Sequence, residues 1–265
     1  MRHGEQVLKF RAYGHKAPRW IASVLFGDRQ KYGLVPDEND SCWKEWSGSY
    51  HDFYESTQKS GIGEAINNAG YKVLRKVDLE GCRVLEVGPG GLHHIPFWCG
   101  NPEFYALVDL DKKFLENASA KLTAADIPHD LRLTTRDCGG VLPAGDNEFD
   151  IIVTFYSLEH LYPFSEHLKD MLRVLKPGGK IVGAIPAEGG MAWGLGRFLT
   201  SRRWLRKNTS INPDKIICWE HPNMADEILN CLSEQLLLNK LSFWPMGLPV
   251  VDLNLILRFI FSKPL

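Results

Sequence analysis

Residues 84–90, Val-Leu-Glu-Val-Gly-Pro-Gly, constrain the fold more than any other stretch of this chain. An apolar run that stops at Val87 and meets two glycines reads as a buried parallel strand closed by a tight turn. Glycine at 88 and 90 lets backbone N–H groups approach a ligand closely. In a doubly wound sheet this is the edge where ligands bind. Glu86 adds a carboxylate there, suited to a cationic or hydroxyl-rich ligand. A nicotinamide dinucleotide would call for Gly-x-Gly-x-x-Gly, and His93 stands where the third glycine belongs.

From about residue 61 the chain alternates between two hydrophobic periods. Ile62, Ile66, Ala69, Val73 and Val77 predict an amphipathic helix over 61–77. Strands are expected at 84–87, 104–108, near Leu131–Leu133, at 149–154 and at 180–185. Helices are expected around Phe114–Ala125 and Phe164–Leu175, the latter ended by Lys176-Pro-Gly-Gly179. Such alternation implies a parallel sheet with helices on both faces. Residues 186–219 show little periodicity; a helix over 223–239 follows, and segments 241–251 and 253–261 read as a closing pair of strands. The first 60 residues look irregular to helical and carry Trp20, Trp43, Trp46, Tyr50, Phe53 and Tyr54.

A length of 265 residues suffices for one α/β domain with appendages. A net charge of −1 argues against dedicated nucleic-acid binding. Six scattered cysteines without a Cys-x-x-Cys pair fit reduced thiols in a cytoplasmic protein better than disulfides or zinc. The first residues lack the apolar core of a signal peptide, and no stretch approaches the roughly 18 apolar residues of a membrane span. A soluble protein is expected.

Asp109, 23 residues after Glu86 at the end of Phe104-Tyr-Ala-Leu-Val-Asp109, completes a pattern. Glu86-Val-Gly-Pro-Gly90 with this second acidic strand end resembles the first motifs of class I S-adenosylmethionine (SAM) methyltransferases. Arg136-Asp137-Cys138 before Leu142-Pro143, Phe149–His160 and Leu172–Gly179 resemble later motifs of that family, in the same order. The resemblance implies a seven-stranded, mostly parallel α/β sheet ending in an antiparallel pair, with an N-terminal extension (1–60), a SAM-binding domain (61–265) and a substrate-side insertion (186–219). It implies SAM as cofactor. Glu86 would hold its methionine end, directly or through water, Asp109 the ribose hydroxyls, and Asp137 and Cys138 the adenine, with Gly88, Gly90, Leu110 and Phe155 completing the set. A branched side chain at Gly88 is then expected to fill space the cofactor needs. Asp111 is expected to cap the helix after Asp109.

Methyl transfer needs alignment more than covalent help, though a hydroxyl acceptor benefits from a base. Candidate bases are His160, Glu159, Tyr156, Glu188 and His221; His160 has the best position, and His221 reads as a helix-entry residue. The pair His93-His94 lacks neighbouring ligands, so no metal site is expected. Arg197, Arg202, Arg203, Arg206 and Lys207 crowd eleven residues with no acid among them. Residues 1–31 hold seven basic residues against Glu5 and Asp28. Either cluster is a solvated surface or a site for an anionic group, and Arg202, Arg203 and Arg206 are the candidates for an anionic acceptor. The expected partner is a small-molecule or glycan-like acceptor, with peripheral membrane contact as a further option and no nucleic acid. The competing reading is a SAM-fold scaffold without turnover.

Overall fold

The computed structural model describes residues 9–58, 62–135 and 140–265. Four helices precede the sheet: α1 (Arg19–Phe26), α2 (Arg29–Tyr32), α3 (Ser41–Gln58) and α4 (Ile62–Tyr71). The chain then alternates β1 (Arg83–Val87), β2 (Phe104–Asp109), α5 (Lys112–Ala124), β3 (His129–Leu133), β4 (Phe149–Phe155), α6 (Phe164–Val174) and β5 (Leu175–Pro186). Three short helices follow, α7 (Met191–Leu199), α8 (Ser201–Asn208) and α9 (Pro213–Glu220). Then come α10 (Ala225–Gln235), β6 (Leu237–Trp244) and β7 (Ile256–Ser262).

The seven strands lie in the order β3-β2-β1-β4-β5-β7-β6. β1 pairs in parallel with β2 and β4, and β7 runs antiparallel between β5 and β6. The expected sheet is present. Its chain order reverses at β1, and that reversal opens a crevice outside the carboxyl ends of β1 and β4.

The side-chain period of two divides the sheet into faces. Leu85, Val87, Ala106 and Val108 join the core that takes in Leu168 and Met171 of α6 and Ile228 and Leu232 of α10. Val84, Tyr105 and Leu107 join the opposite core with Leu115 and Leu122 of α5 and Tyr71 of α4. Glu86 shares the second face with Val84.

Several boundaries differ from expectation. The helix begun at residue 62 ends at Tyr71, and a separate 3-10 turn covers Leu74–Lys76. The aperiodic stretch 186–219 holds three helices. β6 starts at Leu237, inside the expected helix 223–239. Lys176-Pro-Gly-Gly179 belongs to β5, with a register shift against β4.

α1 packs on α7 and α9, and α3 packs on α4 and α9. Trp43 and Trp46 of α3 share a buried cluster with Leu205, Ile216 and Trp219. The N-terminal helices and the stretch after β5 therefore build one layer together. No described helix is long and apolar enough to cross a membrane, and the five described cysteines are free thiols.

A candidate active-site cavity

A cavity of about 1520 Å³ opens at the carboxyl ends of β1, β2, β4 and β5. A single ligand commonly occupies about 300–1,000 Å³, so this one has room for two molecules. Its sheet-side wall holds Gly88, Pro89, Gly90, Asp109, Leu110, Phe155 and Trp193, which packs on both sheet cores; the other side holds Trp43, Trp46, Leu205 and Trp219.

The glycine turn has the conformation its sequence implies. Gly88 has φ +71 and Gly90 φ +50, both left-handed, and the Gly88 N–H donates to Val108 O at 2.9 Å. Leu92, where another glycine would be easier, is also left-handed at φ 48 and fully buried. A Cβ on Gly88 would meet Ser157 Cβ at 2.7 Å, so a side chain there also collides with the loop after β4. Ser157 donates to Val87 O at 2.8 Å and exchanges a 2.6 Å hydrogen bond with Thr154, which fixes that loop against β1.

Glu86 does not line the cavity itself. Its Oε1 lies 2.7 Å from His94 Nε2, and its Oε2 accepts from the Tyr105 hydroxyl at 2.7 Å. Trp98 Nε1 donates to His94 Nδ1 at 2.9 Å, which leaves the proton for Glu86 on Nε2. The carboxylate is 1% exposed and lies one layer beneath the cavity. His94 and not Glu86 reaches the cavity wall. Glu86 is thus a holder of His94, and strand parity is the reason.

Asp109 reaches the cavity as expected. Its Oδ1 accepts from the Asp111 N–H at 2.9 Å. Burial, against the opposing Asp111 N–H, pushes its carboxyl up to about 6. Asp111 caps α5 by accepting from the N–H groups of Lys113 and Phe114. Leu110 and Phe155 also line the cavity. Asp137 and Cys138 lie outside the described residues.

The turn after β4 (Leu158–His160) and the end of α9 supply a polar wall. Tyr156, left-handed at φ 56, sends its hydroxyl to Ile66 O and Asn67 O at 3.2 and 3.0 Å. His160 lines the cavity, with Nδ1 3.4 Å from Glu220 Oε2 and Nε2 3.9 Å from Glu159 Oε1. Burial lowers its pKa, but Glu220 and Glu159 outweigh that and hold it up at about 9.

Burial lifts Glu159 to about 7. Glu188 is fully buried, yet Arg197 and His221 hold its carboxyl far below the ordinary range. Arg197 donates to it at 2.8 and 2.6 Å, and Trp193 Nε1 at 2.9 Å. His221 is no mere helix-entry residue. It lines the cavity with Nδ1 3.2 Å from Glu188 Oε2, and burial lowers its pKa.

The basic clusters come apart. Arg197 belongs to Glu188. Arg202 is 3% exposed and pairs with Asp214, so it is not available to an acceptor. Arg203 and Arg206 are exposed on α8 and do not line the cavity. In the N-terminal cluster, Lys16 pairs with Asp226 at 2.6 Å and Arg19 with Asp28 at 2.8 Å. Arg29 donates to the carbonyls of His221 and Pro222 at 2.6 Å each. These five charges, Arg203 and Arg206 apart, are engaged within the structure. The pair His93-His94 forms no ligand group, but Glu159, His160 and His221 do lie together with ligand atoms within 4.8 Å, against the expectation of none.

Residues 85–183 match a family model described as a methyltransferase domain. The uncharacterized protein YafE of Escherichia coli K12 is 32% identical over 89 residues, 31% of this chain and 43% of that protein. A ubiquinone/menaquinone biosynthesis C-methyltransferase, UbiE, of Geotalea daltonii is 29% identical over 75 residues, 28% of this chain and 32% of that protein. A malonyl-[acyl-carrier protein] O-methyltransferase of Buchnera aphidicola subsp. Baizongia pistaciae is 28% identical over 149 residues, covering 50% and 59%. The chain thus spans less than two thirds of each of these relatives. Among solved structures, a proposed methyltransferase of Bacillus halodurans C-125 matches with TM-score 0.51 and 16% identity, over 73% of this chain and 98% of that one. A Pyrococcus horikoshii OT3 protein matches with TM-score 0.53 and 13% identity, over 82% and 98%. At such identities these likenesses concern the fold.

Proposed function

We propose, from the premise that this chain has the class I SAM-dependent methyltransferase fold, that it carries a methyl group from SAM to an oxygen or nitrogen of a small-molecule or glycan-like acceptor. One observation supports this most: a two-ligand cavity has a glycine turn and Asp109 on one wall and a carboxylate–histidine wall with three tryptophans on the other. The residues suit the cofactor. Asp109 offers carboxylate oxygens to a ribose diol. The Gly88–Gly90 turn keeps its surface free of side chains, as a close-fitting methionine end requires. His94, steadied by Glu86 and Trp98, and Phe155 shape the floor.

SAM supplies an electrophilic methyl group on a sulfonium leaving group. What remains to the protein is placement, exclusion of water and removal of the acceptor's proton. Trp43, Trp46, Trp193 and Trp219 give flat apolar faces suited to a ring or sugar. We assign residues 43–54 and 186–219 as the lid over the acceptor half. Arg203 and Arg206 have no part in this reading.

The test is a calorimetric titration of the full chain with S-adenosylhomocysteine (SAH) and with NAD. Binding of SAH but not NAD is expected, and Asp109→Ala should weaken it by about 1–3 kcal/mol. Equal affinity for NAD, or an unaffected variant, defeats the assignment. Methylation of candidate acceptors followed by mass spectrometry separates an enzyme from an idle SAM-fold scaffold.

A further inference from the structure

We infer that Glu159, His160 and His221 form a binding site for a divalent first-row transition-metal ion in the wall of the cavity. The three residues offer one carboxylate oxygen and one nitrogen from each of two imidazoles, all within 4.8 Å of one another. The 3.9 Å between His160 Nε2 and Glu159 Oε1 is too long for a hydrogen bond. Two ligands about 2.0–2.2 Å from a shared tetrahedral ion stand roughly 3.3–3.6 Å apart, so a small closure of this gap would admit one. The ring centroids of His160 and His221 are 4.9 Å apart.

A second observation points the same way. Glu159 is 2% exposed, and its Oε2 has no hydrogen-bond partner. A buried carboxylate oxygen left without a donor costs free energy unless something binds it. All three residues line the cavity, so an ion can reach them.

What stands behind the histidines fits the assignment. Glu220 Oε2 lies 3.4 Å from His160 Nδ1, and Glu188 Oε2 lies 3.2 Å from His221 Nδ1. Neither contact is a hydrogen bond as the side chains stand; a carboxylate that closed on one ring nitrogen would orient the imidazole and make the other nitrogen a better ligand. These carboxylates are themselves held, Glu220 by Trp46 Nε1 at 3.0 Å and Glu188 by Arg197. The two ligand-bearing segments are also tied to each other. Asn223 Nδ2 donates to Leu158 O at 3.0 Å and to Leu161 O at 2.6 Å.

Two imidazoles with one carboxylate favour zinc, manganese, iron, cobalt or nickel over magnesium and calcium, which prefer all-oxygen shells. Three protein ligands leave coordination positions open toward the cavity. This deepens the methyl-transfer reading and rests on it in one respect only: the open positions would take an acceptor that offers a metal-binding oxygen.

The test uses the full chain, stripped with a chelator and then dialysed. Titration with Zn²⁺ by calorimetry, and with Co²⁺ by visible absorption, should give one equivalent with a cobalt band that reports imidazole ligation. His221→Ala and Glu159→Gln should each weaken binding about tenfold or more. No binding by the wild type overturns the site. Unchanged binding in both variants also overturns it, because the ion then sits elsewhere. If His221→Ala does not fold, Glu159→Gln decides, since it preserves size and shape. An SAH titration on the same sample separates the two ideas. Metal binding without SAH binding defeats the methyl-transfer reading alone, and SAH binding without metal defeats this site alone.

Discussion

Asp109 carries the most exposed test of the cavity, because its position costs the apoprotein stability. Its carboxyl is raised by burial from 3.8 to about 6. Between those values the folded state holds a proton the unfolded chain has shed. Stability from this group therefore falls as pH rises through that window and stays lost above it. Asp109→Asn should raise the melting temperature at about pH 8, with little gain at about pH 4, while SAH binding is lost. An equal gain at both pH values would show that buried charge is not its source. Wild-type SAH affinity should itself decline as pH drops below about 6, since a protonated carboxyl is a weaker acceptor. Asp109 was legible in the sequence because it ends an apolar strand. That Glu86 stands behind the cavity wall was also legible: alternation puts it with Val84, on the face that α4 and α5 cover, while Leu85 and Val87 face the other way. His221 was a candidate base in the sequence, but its place beside His160 was not legible, for it lies 61 positions further along the chain and only the packing of α9 against the turn after β4 brings them together.

At the scale of elements, strong periods gave β1, β2, β4, α5 and α6 nearly to the residue, because each buries one continuous apolar stripe. The stretch 186–219 gave nothing, for physical reasons that the structure supplies. α7, α8 and α9 have nine, eight and eight residues, about two turns each, too few for a period to establish itself. Their inward positions also include charged residues, Arg197 and Arg202, whose acids are not adjacent in sequence. The Arg197–Glu188 pair is what fastens α7 to the end of β5. Removing one partner of a buried pair strands the other charge, at a cost of about 3–5 kcal/mol. Glu188→Gln should therefore lower stability by that order in urea unfolding. Arg203→Ala, at an exposed position on α8, should change it by less than about 0.5 kcal/mol. Comparable losses from both would mean that the pair does not hold α7.

For the whole molecule, the cavity joins two unlike halves: strand ends and glycine turn on the sheet side, and a tryptophan-rich layer built by α3, α8 and α9 on the other. The donor contacts assigned above all come from the sheet side, so the two halves should respond to ligand separately. Saturating SAH, at about 100 times its dissociation constant, adds about 2.7 kcal/mol of stability to the state that binds it. Hydrogen exchange should then slow at Gly88–Gly91, Leu110 and Ser157, and change little in α3 and α9. Trp219, which meets Trp43 edge-on at 6.1 Å, anchors the other half. Trp219→Ala should cost roughly 3–5 kcal/mol of packing there and speed exchange in α3 and α9. Its SAH affinity should stay within about threefold of wild type, a change below 1.4 kcal/mol. An affinity loss as large as that of Asp109→Ala would show that the tryptophan layer holds the cofactor too, and the division between donor wall and acceptor wall would have to be abandoned.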